Sequence, residues 1–180
     1  AGTREVTLLD VGAGRCDFAI WFVDYCRRHG RRARVTCLDA DPRVAAYARE
    51  VCMSYSGISV ETASLQQIAG SDRQWDCVFA NHFLHHLPHP ALADALRTIR
   101  ASARRAVLVN DLYRSRLSAT LYSLCVRPWM VGTFAGYDGL VSIRRGFRPA
   151  ELSQALSTAA IDDLRVGTMW PGRVYVAGQF

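Results

Sequence analysis

Short apolar runs alternate with amphipathic stretches along most of the chain. Val6–Val11 is short, continuous and followed by glycine, the pattern of a strand buried on both faces of a parallel sheet. Phe18–Arg28 reads as a helix and Arg34–Asp39 as a second strand. Asp41-Pro42 opens another helix, with Asp at the N-cap and Pro at the first helical position. Val44, Ala45, Ala48, Val51 and Cys52 give that helix one apolar face. Ile58–Thr62 and Trp75–Ala80 are the third and fourth predicted strands. Ala91–Arg100 follows as a helix with Leu92, Ala95, Leu96 and Ile99 on one side, and Ala106–Asn110 as the fifth strand. After Asp111 the rhythm breaks. Arg114–Trp129 predicts an extra amphipathic helix, and Val131–Arg145 a loop containing glycine and aromatic residues. The rhythm resumes with a helix at Pro149–Ala159. The closing runs Leu164–Trp170 and Arg173–Phe180 are separated only by Pro171-Gly172, which allows an antiparallel hairpin but no parallel crossover.

Five strand–helix units predict an α/β fold: a doubly wound, mostly parallel sheet with helices on both faces. No repeat, linker or boundary divides residues 1–180, so one domain is expected. The chain opens at Ala1, only a few residues before its first strand, so a missing N-terminal segment is expected as well.

Composition narrows the chemistry. Half of the 180 residues are apolar and 21% are charged, a balance that excludes a disordered or low-complexity chain. The net charge is +6 and all 22 basic residues are arginine. Without lysine there is no Schiff-base lysine, no Walker-type phosphate lysine and no Tyr/Lys dehydrogenase pair. An all-arginine set can meet phosphates; it fits the codon usage of a GC-rich genome equally well. The six cysteines stand singly, with no C-x-x-C pair, which points to reduced thiols and a cytoplasmic protein. No apolar run reaches the ~20 residues that a bilayer requires.

Ligands of doubly wound sheets bind beyond the carboxyl ends of the strands. After the first strand, Gly12 and Gly14 permit a tight turn and close approach of a ligand to bare backbone. Asp17 stands where a dinucleotide fingerprint needs its third glycine, and a carboxylate there repels a pyrophosphate. After the second strand, Asp39 is placed to accept two hydrogen bonds from ribose hydroxyls, while Asp41 has the capping position.

Leu8-Leu9-Asp10-Val11-Gly12-Ala13-Gly14, then Cys37-Leu38-Asp39, then the run from Trp75 through Asn81-His82-Phe83-Leu84-His85-His86-Leu87-Pro88 resemble the class I S-adenosylmethionine-dependent methyltransferases. The likeness is to the small-molecule branch that includes the ubiquinone/menaquinone methyltransferases. It implies a Rossmann-like seven-stranded sheet, mostly parallel with an antiparallel C-terminal strand, and S-adenosyl-L-methionine as cofactor. By position it implies that Gly12 and Gly14 hold the methionine part with Asp10 supporting their loop. Asp39 would bind the ribose, Asn81 and His82 would line the methionine side, and His85 and His86 would face the methyl-transfer region. Two departures stand out. Cys16 replaces the family's usual third glycine, which narrows the room beside the cofactor. Thr62-Ala63-Ser64-Leu65 lacks the acid that often meets the adenine amino group, leaving Ala63 and Ser64 to line that end.

His82, His85, His86 and His89 have a spacing that invites a metal, but Pro88 and Pro90 interrupt any helix and no acid or cysteine is interleaved, so no metal is expected. A histidine titrating near 6.5 suits a general base, which makes His85 and His86 the catalytic candidates, against the alternative of packing at a strand–helix corner. Asp111 and Tyr113 follow the fifth strand and are substrate candidates. Residues 114–145 are expected to form a substrate-side insertion. Its Tyr137–Phe147 stretch resembles a segment of small bacterial methyltransferases of secondary metabolism, and Tyr137 and Arg144 join the substrate candidates, with Trp129, Met130 and Phe134 as further apolar walls. The expected activity is methyl transfer to a small molecule, an oxygen on a phenolic or polyketide-type ring. The alternatives are a non-catalytic methyltransferase-like binding partner, a nucleic-acid methyltransferase and a nicotinamide dehydrogenase. The basic charge favours nucleic acid, but the residues after the fourth strand are not N-P-P-Y-like. The sequence leaves the oligomeric state open.

Overall fold

The structure is a computed structural model that describes residues 5–126, 129 and 134–180, with the backbone alone at 118, 126 and 134–138. Seven strands form one sheet in the order β3-β2-β1-β4-β5-β7-β6: β1 Val6–Val11, β2 Ala33–Asp39, β3 Ile58–Thr62, β4 Trp75–Asn81, β5 Ala103–Leu112, β6 Arg165–Met169 and β7 Arg173–Gln179. Strands β1 to β5 pair in parallel, and β7 runs antiparallel to both β5 and β6. The strand order reverses between β1 and β4, so a crevice opens at their carboxyl ends.

Helices α1 (Asp17–Arg28) and α2 (Pro42–Val51) cover one face, where Leu8, Val35, Cys37 and Phe79 pack with Ala19 and Ala48. The Phe18 ring stacks on Phe79 at 3.8 Å. On the other face Leu9, Val11, Val78, Val107 and Val109 pack with α4 (Leu92–Ala101) and α7 (Pro149–Thr158). A short α3 (Leu65–Ile68) adds Leu65 and Ile68 to this core. The central pair of strands is pinned by side chains as well as by its ladder. Asp76 accepts from the backbone N–H and the hydroxyl of Thr7, at 3.0 and 3.2 Å. Trp75 donates its indole N–H to Thr36 on β2, at 3.1 Å.

Three stretches differ from the pattern-based expectation. Strand β5 runs past Asn110 to Leu112 because Asp111 and Leu112 pair with Val174 and Arg173 of the returning β7. Arg114–Trp129 divides into α5 (Arg116–Leu121) and a π-helical turn at Tyr122–Val126. The expected loop at Val131–Arg145 contains a helix, α6 (Phe134–Arg145). Glycine disfavours helix interiors, but a Cβ at Gly139 would collide with the Tyr122 ring. Close approach of that ring, rather than loop geometry, accounts for the glycine.

Candidate functional site

A cleft of about 620 Å³ lies where the strand order reverses, within the range of cofactor pockets. Its floor is the β1–α1 turn. Gly12 and Gly14 both have positive φ, +67° and +55°, where only glycine is unstrained. Gly14 has open space where a Cβ would stand, so its bare backbone faces the cleft. A Cβ at Gly12 would lie 2.7 Å from the Phe83 ring, which forms part of the wall.

Asp39 ends β2 at the cleft rim. Its Oδ2 accepts from the Gly14 N–H at 3.1 Å and its Oδ1 from the Asp41 N–H at 3.0 Å. Each carboxylate oxygen retains acceptor capacity for a further donor. Asp41 is engaged elsewhere: it caps α2 through the Arg43 N–H at 2.9 Å, and its hydrogen bonds to Arg43 hold its carboxyl down at about 2. Ala63 and Ser64 line the opposite end together with Leu65 and Gln66. The Ser64 backbone N–H is taken up by Gln67 Oε1 at 2.7 Å, so the polar side chain added to this end is Gln66. Leu38, Val44 and Leu87 complete apolar walls.

Cys16 does not narrow the cleft, contrary to the sequence expectation. It caps α1 with φ +63°, the backbone conformation that suits the glycine it replaces. That twist buries its side chain completely, in hydrogen-bonding contact with Cys37 and Cys52. Asp10 lies beneath the glycine turn, 3% exposed, and burial, aided by Cys16, raises its carboxyl to about 8.

The histidines divide. His86 is exposed on the cleft wall. His85 is buried, its ring 4.1 Å from that of His86. Its Nδ1 lies 2.8 Å from Asp111 Oδ1, and its backbone N–H donates to Asp111 Oδ2 at 3.2 Å. Asp111, 1% exposed, therefore meets His85 and not the cleft. His82 lines the cleft in a left-handed conformation, φ +54°, with its N–H donating to Asn110 O at 2.9 Å. Arg173 donates a guanidinium N–H to His82 Nε2. Burial, reinforced by the Arg173 charge, pushes His82 down to about 4. Asn81 caps the end of β4 and accepts from Asn110 Nδ2 at 2.8 Å; it is not part of the cleft lining.

A second cavity of about 210 Å³ adjoins the ends of β5 and β7, lined by Tyr113, Leu117, Leu121, Met169, Trp170 and the Pro171-Gly172 turn. Of the other substrate candidates, Arg144 is exposed on α6 and lines neither cavity. Trp129 is 87% exposed and walls neither of them. Met130 and the side chains of Phe134 and Tyr137 lie outside the described residues. Phe83, Gln66 and Arg173 went unread in the sequence. Phe83 stood next to the histidines in the strand-4 motif, whereas a lone arginine at the start of a hairpin strand carries no signal.

A family model described as a methyltransferase domain matches residues 8–105, more than half of the chain. Among curated proteins there is no match. The fold is similar to that of a plantazolicin methyltransferase crystallised with a triazolic desmethylPZN analogue and S-adenosylhomocysteine. The TM-score is 0.74 at 12% identity, over 97% of this chain and 76% of that one. It is similar as well to magnesium protoporphyrin IX methyltransferase from Synechocystis with bound S-adenosylmethionine. There the TM-score is 0.62 at 12% identity, covering 97% and 70%. An S-adenosylmethionine-dependent methyltransferase from Aquifex aeolicus gives 0.67 at 17%, covering 99% and 84%. At these identities the likeness is one of fold.

Proposed function

We propose, from the premise that this chain belongs to the methyltransferase domain family, that it transfers the methyl group of S-adenosyl-L-methionine to an oxygen of a small phenolic or polyketide-type molecule. The observation that carries this reading is the cleft itself, in which a ribose acceptor (Asp39), bare glycine backbone (Gly12, Gly14) and an exposed histidine (His86) share one wall system. The cofactor fits its donor set. The two remaining acceptor positions of Asp39 match vicinal sugar hydroxyls, and the apolar walls with Gln66 match an adenine that has one polar edge. Likeness to the ubiquinone/menaquinone branch supports a ring-bearing acceptor, and residues 114–145 are the substrate side.

When bound, S-adenosyl-L-methionine supplies an already activated methyl group on its sulfonium. The chain's own tasks are alignment and proton removal. Alignment is the larger, since holding the acceptor in line with the methyl replaces a bimolecular encounter. Gly12 and Gly14 bring backbone within reach of the methionine portion, and Asp39 fixes the sugar. His86 takes the proton that the acceptor hydroxyl loses. His85, held by Asp111, positions His86 by ring contact. Asp10 supports the glycine loop from below.

The test is transfer of an isotope-labelled methyl group from S-adenosyl-L-methionine to a panel of phenolic metabolites. Label should appear on a phenolic oxygen at neutral pH, and His86→Gln should slow that transfer about 10²–10⁴-fold while S-adenosylhomocysteine still binds. Tight S-adenosylhomocysteine binding with no label transferred to any member of the panel would leave the family assignment standing and remove the acceptor class.

A further inference from the structure

Arg173 is in the lining of neither cavity but adjoins a lining residue of each, Gly172 in the chain and His82 by contact. It follows directly on the Trp170-Pro171-Gly172 turn that walls the small apolar cavity, while its side chain ends on His82 in the wall of the cofactor cleft. Its hydrogen-bond partner is a neutral imidazole and not a carboxylate. Among the described residues no ion pair involves Arg173. Asp111 is near enough for its charge to be felt at the guanidinium, but its oxygens are taken up by His85 and by the Leu112 N–H, at 2.7 Å. The guanidinium has five N–H donors in a fixed fork, one of which is used on His82. Half-buried arginines are ordinarily matched to an acid, because a partly desolvated cation without a counter-charge is costly. The His82 backbone stands in the left-handed region, which histidine adopts more readily than most side chains, and its imidazole meets Arg173.

We infer that Arg173, wedged by His82, is an anion subsite that holds a carboxylate or phenolate oxygen of the acceptor while the acceptor's apolar body occupies the cavity lined by Tyr113, Leu117, Leu121, Met169 and Trp170. The inference rests on the methyl-transfer reading above and sharpens it, since the substrate becomes an acidic ring compound. A fork donor suits both oxygen anions, by two parallel N–H···O bonds to a carboxylate or a bifurcated pair to a phenolate. An anion held there would be next to His82, which lines the same cleft as His86.

The experiment uses the full chain saturated with S-adenosylhomocysteine and compares ligands of equal shape and different charge. Benzoate is titrated against benzamide, and 4-nitrophenolate against 4-nitroanisole, by ligand-observed NMR. The anion of at least one pair should bind about tenfold more tightly, the scale of a charge-assisted bond. Arg173→Met should bring that pair to parity without changing S-adenosylhomocysteine affinity. In the same variant the His82 ring should titrate nearer its ordinary value, as expected of a folded chain in which the imidazole no longer faces a guanidinium. A readout independent of any variant is the yellow 4-nitrophenolate band: it should appear at lower pH in the bound than in the free ligand, whereas burial without a cation would move it to higher pH. Equal binding within both pairs, or a preference that survives in Arg173→Met, overturns the inference. The first titration, with S-adenosylhomocysteine alone, tests the methyltransferase reading separately; its failure would leave the anion preference to be measured on the unloaded chain.

Discussion

His85 Nδ1 and Asp111 Oδ1 stand 2.8 Å apart, and both side chains are withdrawn from solvent. The two come from different strand ends, β4 and β5, and Asp111 also accepts from the backbone N–H groups of His85 and Leu112. One buried carboxylate therefore fixes both the turn that carries His85 and the end of β5. Asp111→Ala leaves three donors without a partner. Unsatisfied buried groups cost about 1–3 kcal/mol, so a loss of at least ~2 kcal/mol in urea unfolding is expected. A change below ~0.5 kcal/mol would show that the carboxylate does not anchor the strand end.

Asp39 is the residue whose removal should be felt most by the cofactor and least by the core. Asp39→Ala takes away the brace on Gly14 and the paired acceptors for the sugar, but leaves the α2 cap, which belongs to Asp41. Calorimetry with S-adenosylhomocysteine should show affinity lower by about 1–3 kcal/mol, which is about five- to 150-fold. Unchanged affinity would take Asp39 out of the site.

The parallel half of the sheet was legible because its buried strands write themselves as apolar runs that close on a polar residue: β2 ends at Asp39 and β4 at Asn81, and Asp10 stands one residue before the end of β1. The hairpin was legible from two residues, Pro171-Gly172, which leave no length for a crossover. Helix α6 was not, because Gly139 reads locally as a breaker and only the Tyr122 ring, distant in sequence, explains it. In the site, the glycine turn and Asp39 belong to contiguous motifs. Arg173 does not: it reaches His82 across 91 residues through the β5–β7 register, and no local pattern encodes that pairing. The different environments of His85 and His86, adjacent in sequence, follow from the one-residue rotation of a short 3₁₀ turn over Leu84–His86.

Asp10 gives the fold a pH dependence of definite sign. Its folded-state value, about 8, lies above the unfolded 3.8, with burial the main cause. The folded chain therefore retains a proton that the unfolded chain releases. The contribution is fully present below about pH 4 and is lost as pH rises toward 8. Asp10→Asn keeps the shape and removes the titration. Urea midpoints at pH 5 and pH 8 should fall with pH in the parent and fall less in Asp10→Asn. His82, which titrates low, acts in the opposite sense on the acid side but is common to both proteins and cancels in the comparison. Parallel profiles would mean that Asp10 is already ionised in the folded chain.

Gly12 and Gly14 make a controlled pair, since both hold positive φ but only one is crowded. Alanine at Gly14 meets open space, so its stability cost is that of the left-handed backbone, about 1–2 kcal/mol. Alanine at Gly12 carries the same backbone cost and also places a methyl 2.7 Å from the Phe83 ring. Phe83 lines the cleft, so displacing its ring reshapes the wall that the cofactor meets. Gly12→Ala should thus be the less stable of the two, and its S-adenosylhomocysteine affinity should fall in step with the ring's displacement. Truncating the obstacle separates the two effects: measured against Phe83→Ala alone, Gly12→Ala/Phe83→Ala should lose only the backbone cost, because the Cδ and Cγ atoms that crowd Gly12 are gone. Equal unfolding midpoints for the Gly12→Ala and Gly14→Ala variants, or the same cost of Gly12→Ala with and without Phe83→Ala, would mean that Phe83 does not press on the glycine turn.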